Sequence, residues 1–347
     1  MKKVLIIILA SFVFHIVNAQ DIHFSQYNYS PLSLNPANTA AFNGDIRVCA
    51  NYKNQWDKVA SPYRTYAASY DMSILKGTWK KGYLGAGLQF FDDRAGDAKM
   101  GLTQFNISVS GIKEISTNTN LAIGIQGGFA QRSIDFNSLT WDSQYDGMAY
   151  NSGLPTCEVG SAAVNYSDYS AGVLWNYGKG DMYSTANDAI RAHIGLAFFH
   201  INTPNQSFVG KTDRLNAKYV FHGGVSMGIK NTNLSLCPDY MLLIQGSTKE
   251  LTFGNAFKYN LQEASRYTGN IKGRAMYLGI HYRFADALIL SYFLELDKYA
   301  FGVSYDINIS ALTAASSGLG GIEVSLRFLD FTSPNTAKTS HSNTKFL

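Results

Sequence analysis

The stretch YAFGVSYDINI, residues 299–309, decides the fold class of this chain. Its odd positions carry apolar or aromatic side chains, and its even positions carry small or polar ones. Because successive side chains of a β-strand point to opposite faces, the stretch predicts a strand with one apolar and one polar face. Residues 84–90 and 105–111 show the same alternation, so the pattern is not confined to one place.

Alternating runs recur about fourteen times along the chain, most of them roughly ten residues long. They lie at residues 45–56, 63–74, 82–92, 101–114, 120–131, 168–177, 190–202, 218–230, 233–245, 249–259, 272–284, 286–297, 299–310 and 319–329. Short turns join several of them, including Asn118-Thr119, Asn231-Thr232 and Gly246-Ser247-Thr248. Strands joined in this way, without helical interruptions, predict an antiparallel meander.

The composition of the two faces favours a membrane protein over a soluble sandwich. A soluble sandwich would carry Lys and Glu on its polar face, whereas here that face is mostly Gly, Ser, Asn, Ala and Gln. The apolar face has aromatic residues near the ends of the runs: Tyr52, Trp56, Tyr66, Tyr70, Trp175, Tyr177, Tyr282, Phe284 and Phe328. Aromatic girdles are typical of outer-membrane barrels, and a closed sheet leaves no strand edge exposed to lipid. We therefore predict an all-β fold, a transmembrane antiparallel β-barrel of about 14 strands, with a soluble or secreted β protein as the alternative.

The two ends of the chain differ from the barrel. Residues 1–19 read as a secretory signal peptide, because Lys2 and Lys3 precede a short apolar run that ends in Val17-Asn18-Ala19. Residues 20–44 form an N-terminal arm rich in Asn, Pro and Ser, which favour turns. Residues 45–330 are assigned to the barrel, and residues 331–347 form a polar C-terminal tail. The expected location is the outer membrane, with lipid as one partner.

Composition and spacing exclude several other functions. The net charge of +4 is spread along the chain and gives no basic patch, so no nucleic-acid partner is expected. Cys49, Cys157 and Cys237 lie far apart without a CxxC pair, which predicts free thiols or at most one disulfide. We find no catalytic, nucleotide-binding or metal-binding motif, and expect no cofactor and no enzyme.

Charged side chains and histidines are expected in the lumen. His193 and His200 share one predicted strand seven residues apart, so they should face opposite sides, whereas His222 and His281 should face inward. The charges assigned to the lumen by alternation are Arg47, Lys53, Lys230, Arg283, Glu295, Asp297, Glu323 and Arg327.

Several segments of this chain resemble the PorP/SprF family of outer-membrane proteins associated with type IX secretion. The N-terminal signature is DIHFSQYNYSPLSLNPANTAAFNGDIRV, residues 21–48. It is followed in the family's order by NYKNQW (51–56), TYAASYD (65–71), GLQFFDDRAG (87–96), SAGVLWNY (170–177), FFHINTPNQSF (198–208) and GGIEVSLRF (320–328). The resemblance covers nearly the whole mature chain. Cys49, Cys237 and the polar tail depart from the family pattern.

The resemblance implies an accessory of type IX secretion. Such a protein binds or anchors a secreted protein that has a C-terminal sorting domain, often an adhesin, at the cell surface. Other implied partners are type IX components and a periplasmic, peptidoglycan-associated protein. A passive or substrate-specific porin is the alternative function, and a barrel enzyme is a third.

Two regions are the candidates for partner docking. The arm is expected to act as a partial plug, to dock a periplasmic partner, or only to cap the barrel. The longest connections, near 132–167 and 203–217, should face outward if the N-terminus is periplasmic. DDRAGD (92–97) is either a polar outer turn or a partner contact. The candidate docking residues are Phe24, Tyr27, Tyr29, Leu34, Asn35, Pro36, Asp93, Arg94, Trp141, Tyr145, Asn205 and Phe208.

Overall fold

The chain forms an antiparallel β-barrel that closes by pairing its first strand with its last. The computed structural model describes residues 21–56, 61–79, 81–156, 160–180, 187–262, 273–310, 313–316 and 318–330. The predicted signal peptide, Cys157 and the predicted polar tail lie outside these residues. In the closing pair, the first and last strands run antiparallel from Ile46 opposite Asp330 to Gln55 opposite Gly321.

The described residues contain fourteen strands, as the alternation predicts. The strands are β1 Ile46–Gln55, β2 Tyr63–Trp79, β3 Gly82–Ala95, β4 Met100–Ser116, β5 Thr119–Ser133, β6 Ala163–Lys179, β7 Ile190–Phe199, β8 Lys218–Gly228, β9 Leu234–Gln245, β10 Thr248–Gln262, β11 Arg274–Arg283, β12 Ala287–Leu296, β13 Tyr299–Asn308 and β14 Leu319–Asp330. Every strand pairs with its sequence neighbours, so the sheet has no free outer strand.

The helical segments are all short. They are α1 Pro31–Leu34, α2 Thr313–Ser316 and the 3₁₀ turns Tyr27–Tyr29, Pro36–Asn38, Phe136–Ser138 and Asp142–Gln144. No helix in the described part of the chain is both long enough and apolar enough to cross a membrane.

Burial is inverted relative to a soluble protein. On β4, Ile107 and Val109 are about half exposed, whereas Asn106 and Ser108 are buried. The apolar face therefore points outward and the polar face points into the lumen, which is the arrangement of a barrel that lipid surrounds. Outward aromatic side chains pair across strands, as Tyr52 and Tyr66 do with ring centroids 5.0 Å apart.

Several strands are longer than the sequence predicts. β6 begins at Ala163, five residues before the alternating run at 168. Its extra residues include Asn165 and Ser167 on the outward face, so they lack the apolar alternation of a membrane strand. They are nevertheless strand because each pairs with β5.

The two ends of the barrel differ, and we name them by what they carry. The loop end bears the connections at residues 134–162 and 200–217, and the terminal end is where β1 begins and β14 ends. Both long connections therefore lie at the same end, and that this end faces away from the cell stays a prediction.

Candidate functional site in the barrel lumen and at the loop end

The described part of the arm, residues 21–44, lies inside the barrel. Near the loop end of β1, the Lys53 ammonium donates to the His23 carbonyl oxygen at 3.0 Å. Near the terminal end of β1, Arg47 donates to the Asn38 carbonyl oxygen at 2.8 Å. The arm therefore runs down the lumen from the loop end to the terminal end before the chain turns into β1.

A buried carboxylate on β14 holds the upper part of the arm. The Glu323 carboxylate accepts hydrogen bonds from the backbone N–H groups of Ser25 at 2.8 Å and Gln26 at 3.0 Å. The Gln26 amide donates in turn to Ser304 Oγ and to the Glu323 carbonyl oxygen, both at 2.9 Å. These hydrogen bonds join the arm to β13 and β14.

An ion pair holds the lower part. Arg47 and Asp71 form a two-pronged pair, with Nε–Oδ1 at 2.9 Å and Nη2–Oδ2 at 2.7 Å. The Asp71 carboxylate also accepts the backbone N–H of Ala40 at 2.7 Å, and the guanidinium lies 4.5 Å from the centre of the Phe42 ring. Asp71 is fully buried, so its charge depends on these donors.

Glycines on the inner wall make room for the middle of the arm. A Cβ added at Gly124 would lie 2.4 Å from the Pro36 carbonyl carbon and oxygen. One added at Gly172 would lie 1.9 Å from Asn35 Oδ1, and one at Gly195 would lie 2.8 Å from Asn35 Nδ2. We call Gly124, Gly172 and Gly195 the glycine seat, because any larger residue there would occupy the space of the arm.

The Asn35 amide is bonded on every side. Its Nδ2 donates to the Val173 carbonyl oxygen at 3.1 Å and lies 3.1 Å from His222 Nε2. Its Oδ1 accepts the Ala37 backbone N–H at 2.8 Å, which caps the 3₁₀ turn that follows. Asn35 thus joins the arm to β6 and β8 at the level of the glycine seat.

Aromatic residues of the arm contact the opposite side of the lumen. The Tyr27 hydroxyl donates to Asp239 Oδ1 at 2.6 Å. The Tyr29 ring stacks on Phe293 with centroids 4.3 Å apart and lies 4.8 Å from the Arg327 guanidinium carbon. All six arm residues predicted for docking are buried in the lumen, namely Phe24, Tyr27, Tyr29, Leu34, Asn35 and Pro36. In this arrangement their contacts are with the barrel wall.

A charged cluster holds the first described residue of the arm at the loop end. His200 lies 3.0 Å from Asp21 through Nε2 and 3.0 Å from Asp168 through Nδ1, and Lys218 also pairs with Asp21. Burial alone would lower the pKa of His200, but attraction to Asp21 and hydrogen bonds with both carboxylates raise it to about 9. Burial opposes ionisation of Asp21, yet Lys218 and His200 hold the pKa of that carboxyl well below its usual range.

The prediction that His193 and His200 face opposite sides is wrong. Both rings point inward: His193 lies 5.5 Å from His222, which faces the lumen as predicted, and His200 is buried against Asp21. The reason is that β7 ends at Phe199 and His200 has a φ of 56°, so the alternation stops three residues before the end of the predicted run at 202. Among the predicted lumen charges, Lys230 and Asp297 are instead exposed in turns, after β8 and after β12 respectively.

A cavity of about 400 Å³ remains beside the arm. Tyr27, Tyr29 and His281 line its upper part, and Asp297 and Lys298, which form the β12–β13 turn, line its lower part. The cavity therefore reaches the terminal end of the barrel. Within the described residues, no group of three or more His, Cys, Asp or Glu side chains could hold a metal ion. Cys49 and Cys237 are free thiols.

The remaining predicted docking residues lie at the loop end. Asp93 accepts a hydrogen bond from Thr65 at 2.6 Å, and the exposed Arg94 pairs with Asp92 at 3.1 Å. Asn205 forms an isolated antiparallel bridge with Arg214 in the second long loop.

The base of the first long loop meets the middle of the second. Phe208 lies 5.5 Å from the Arg132 guanidinium carbon, and its carbonyl oxygen accepts the Ser161 backbone N–H at 2.8 Å. Trp141 packs on Phe136 with centroids 6.1 Å apart, and Tyr145 is exposed. The structure thus separates the twelve predicted residues into a buried arm set and a set at the loop end.

Sequence reasoning misses the partners of the arm. Asp71, Asp168, Asp239 and the glycine seat are not among the predicted residues, although all of them face inward. The available signal is the presence of glycines at lumen-facing positions of the consecutive strands β5, β6 and β7, which indicates that something approaches the wall closely there.

These features define a membrane β-barrel of the outer-membrane class, with its lumen occupied by its own N-terminal arm. The family described as "Type IX secretion system membrane protein PorP/SprF" matches residues 16–328, and the chain belongs to that family. It is accordingly a membrane barrel of type IX secretion. No curated protein matches the chain.

Solved outer-membrane barrels are only distantly similar. The translocator domain of autotransporter NalP from Neisseria meningitidis has 10% identity and a TM-score of 0.38, covering 88% of this chain and 95% of its own. The P. putida toluene transporter TodX has 10% identity and a TM-score of 0.42, covering 85% of this chain and 92% of its own. BamA from Haemophilus ducreyi, lacking POTRA domains 1–3, has 10% identity and a TM-score of 0.41, covering 83% of this chain and 70% of its own.

Proposed function

We propose that this barrel is a non-enzymatic accessory of type IX secretion that binds or anchors a secreted protein with a C-terminal sorting domain at the cell surface. The observation that supports this role is the arm, which is bonded to the wall along the lumen. A barrel filled in this way is poorly suited to pass a folded client, so its contribution is made by its surfaces.

The loop end is the surface we assign to the client. It carries the two long loops, with exposed Tyr145, Met148 and Val209 among them. Exposed aromatic and Met side chains on structured loops are typical of protein-binding surfaces. The terminal end, where the cavity beside the arm opens, is the surface we assign to a periplasmic, peptidoglycan-associated partner or to other secretion components.

We assign the arm the role of a plug, because it is bonded to the wall along the lumen. The alternative function, a passive or substrate-specific porin, requires a water-filled path from end to end. We also propose that residues 1–19 are removed as a signal peptide. Asp21 is then next to the new N-terminus.

Affinity capture from the native host tests the proposal. The full chain is tagged in the tail near Leu347, crosslinked in cells and purified, and the copurifying proteins are identified by mass spectrometry. We expect a secreted protein with a C-terminal sorting domain, or type IX components. Recovery of the barrel alone, under conditions that preserve a known membrane complex, would overturn the accessory role.

Conductance separates the porin alternative. The purified barrel in a planar bilayer is expected to be silent, and a variant lacking residues 21–40 is expected to conduct if it folds. Steady conductance by the unaltered barrel would favour the porin.

A further inference from the structure

The tip of the first long loop is a preformed knob. Residues 141–151, which we call the loop knob, are organised around the buried side chain of Gln144. Its amide oxygen accepts the Trp141 N–H at 3.3 Å, its amide nitrogen donates to the Leu154 carbonyl oxygen at 3.3 Å, and its backbone oxygen accepts the Asn151 N–H at 2.8 Å. A loop held by its own hydrogen bonds loses little conformational entropy when it binds.

The knob presents apolar side chains outward. Tyr145 and Tyr150 pair as an antiparallel bridge, and Met148 stands between them with 92% of its surface exposed. The turn that presents them is fixed by Asp146, whose Oδ1 accepts the backbone N–H groups of Met148 and Ala149 at 2.9 Å each. The packing of the barrel does not require these three apolar side chains to be at this tip.

The knob is also acidic. It contains Asp142 and Asp146 but neither Lys nor Arg. Hydrogen bonds from the Ala149 and Met148 backbone hold the pKa of Asp146 below its usual range, so that carboxyl stays charged. The second long loop differs in charge, because Lys211 and Arg214 outnumber Asp213 there.

We propose that the loop knob is the element that selects the client, and that its partner is a protein surface with an apolar pocket rimmed by Lys or Arg. This inference rests on the proposed function. Tyr145, Met148 and Tyr150 enter the pocket, while Asp142 and Asp146 face its basic rim. Complementary charge of this kind raises the association rate and selects among partners more than it adds affinity.

The test compares two variants in the full chain, expressed in its native host. The knob variant carries Tyr145→Ser, Met148→Ser and Tyr150→Ser. The control variant carries Ile201→Ser and Val209→Ser, which are similarly exposed apolar residues at the loop end. The probe is the sorting-domain protein that the unaltered barrel captures, measured as purified protein binding to purified barrel.

We expect the knob variant to bind that probe at least about tenfold more weakly and the control variant to bind within about twofold of the unaltered barrel. A third variant, Asp142→Asn with Asp146→Asn, removes the two charges. Its second substitution keeps a side-chain oxygen that can accept the hydrogen bonds of the turn. This charge variant is expected to lower the association rate and to flatten its dependence on salt between about 50 and 500 mM.

Three results would overturn the inference while leaving the proposed function intact. They are equal binding by the knob variant, equal loss in the knob and control variants, and crosslinks through the knob to a second copy of this chain in place of the client. If the unaltered barrel captures no client at all, the proposed function itself fails. Unchanged thermal unfolding of each variant shows that the barrel is intact.

Discussion

Replacing Gly124 by Ala tests whether the arm is seated as described. The new methyl carbon would lie 2.4 Å from the Pro36 carbonyl carbon and oxygen and 2.5 Å from the Ala37 backbone nitrogen. These are backbone atoms that cannot rotate away, and the neighbouring Asn35 is bonded to β6 and β8. Overpacking of a close-packed site costs about 1–3 kcal/mol, and contact with backbone places this case in the upper part of that range.

A loss of about 2 kcal/mol in arm docking raises the population with a displaced arm by roughly 30-fold. We expect the larger population with a displaced arm to produce conductance bursts in a planar bilayer. We also expect the variant to have a lower unfolding temperature in detergent. Gly111→Ala is the matched control, since Gly111 is on a neighbouring strand and nothing lies within 4 Å of its added Cβ. If the two variants behaved alike in both assays, the seat would not position the arm.

The other predictions concern the charges that hold the arm. Asp71→Asn leaves Arg47 without its carboxylate, and loss of one partner of a buried pair costs about 3–5 kcal/mol. The unfolding temperature should therefore fall by more than it does for Gly124→Ala. An unchanged unfolding temperature would mean that the pair is not buried in solution. Because the pKa of His200 is raised to about 9, its stabilising contribution is complete below the ordinary value of 6.5 and is lost as the pH rises through 9. The unfolding temperature should therefore fall between about pH 6.5 and 9.5 in the unaltered barrel and vary less in His200→Gln, and equal pH profiles would contradict the assigned charge. Tyr27→Phe removes the hydrogen bond to Asp239 and should destabilise the barrel by about 1 kcal/mol in denaturant titration, whereas Tyr145→Phe, at an exposed position, should not.

The sheet could be predicted from the sequence because its main determinant is local. Alternation over ten residues identifies a strand wherever one face meets lipid, as at residues 299–309. It fails where both faces meet water, which is why the alternation does not reveal the start of β6 at Ala163. It also fails where one residue leaves the strand conformation, as His200 does.

The interior of the barrel could not be predicted in the same way. Ser25 and Glu323 are 298 residues apart, and no period in the sequence links them. The arm reads as a polar, turn-rich segment, and its burial depends on partners that only the closed sheet brings together. The separation of the candidate residues into a buried arm set and a loop-end set likewise depends on the three-dimensional path of residues 21–44.

The path of the arm has a consequence for assembly. The arm contacts all fourteen strands. In addition to the contacts described above, it does so through four pairs: Ser33 with Gln89, Thr39 with Ser108, Ser25 with Arg283, and His23 with Glu250. Neighbouring strands can pair one after another along the chain. The arm differs because it contacts strands around the whole circumference of the barrel. The arm bonds both β1 and β14, so its full set of contacts is present only when those two strands lie side by side. Complete bonding of residues 21–44 is therefore a chemical signature of a finished barrel, and it can be read from one short segment of the chain.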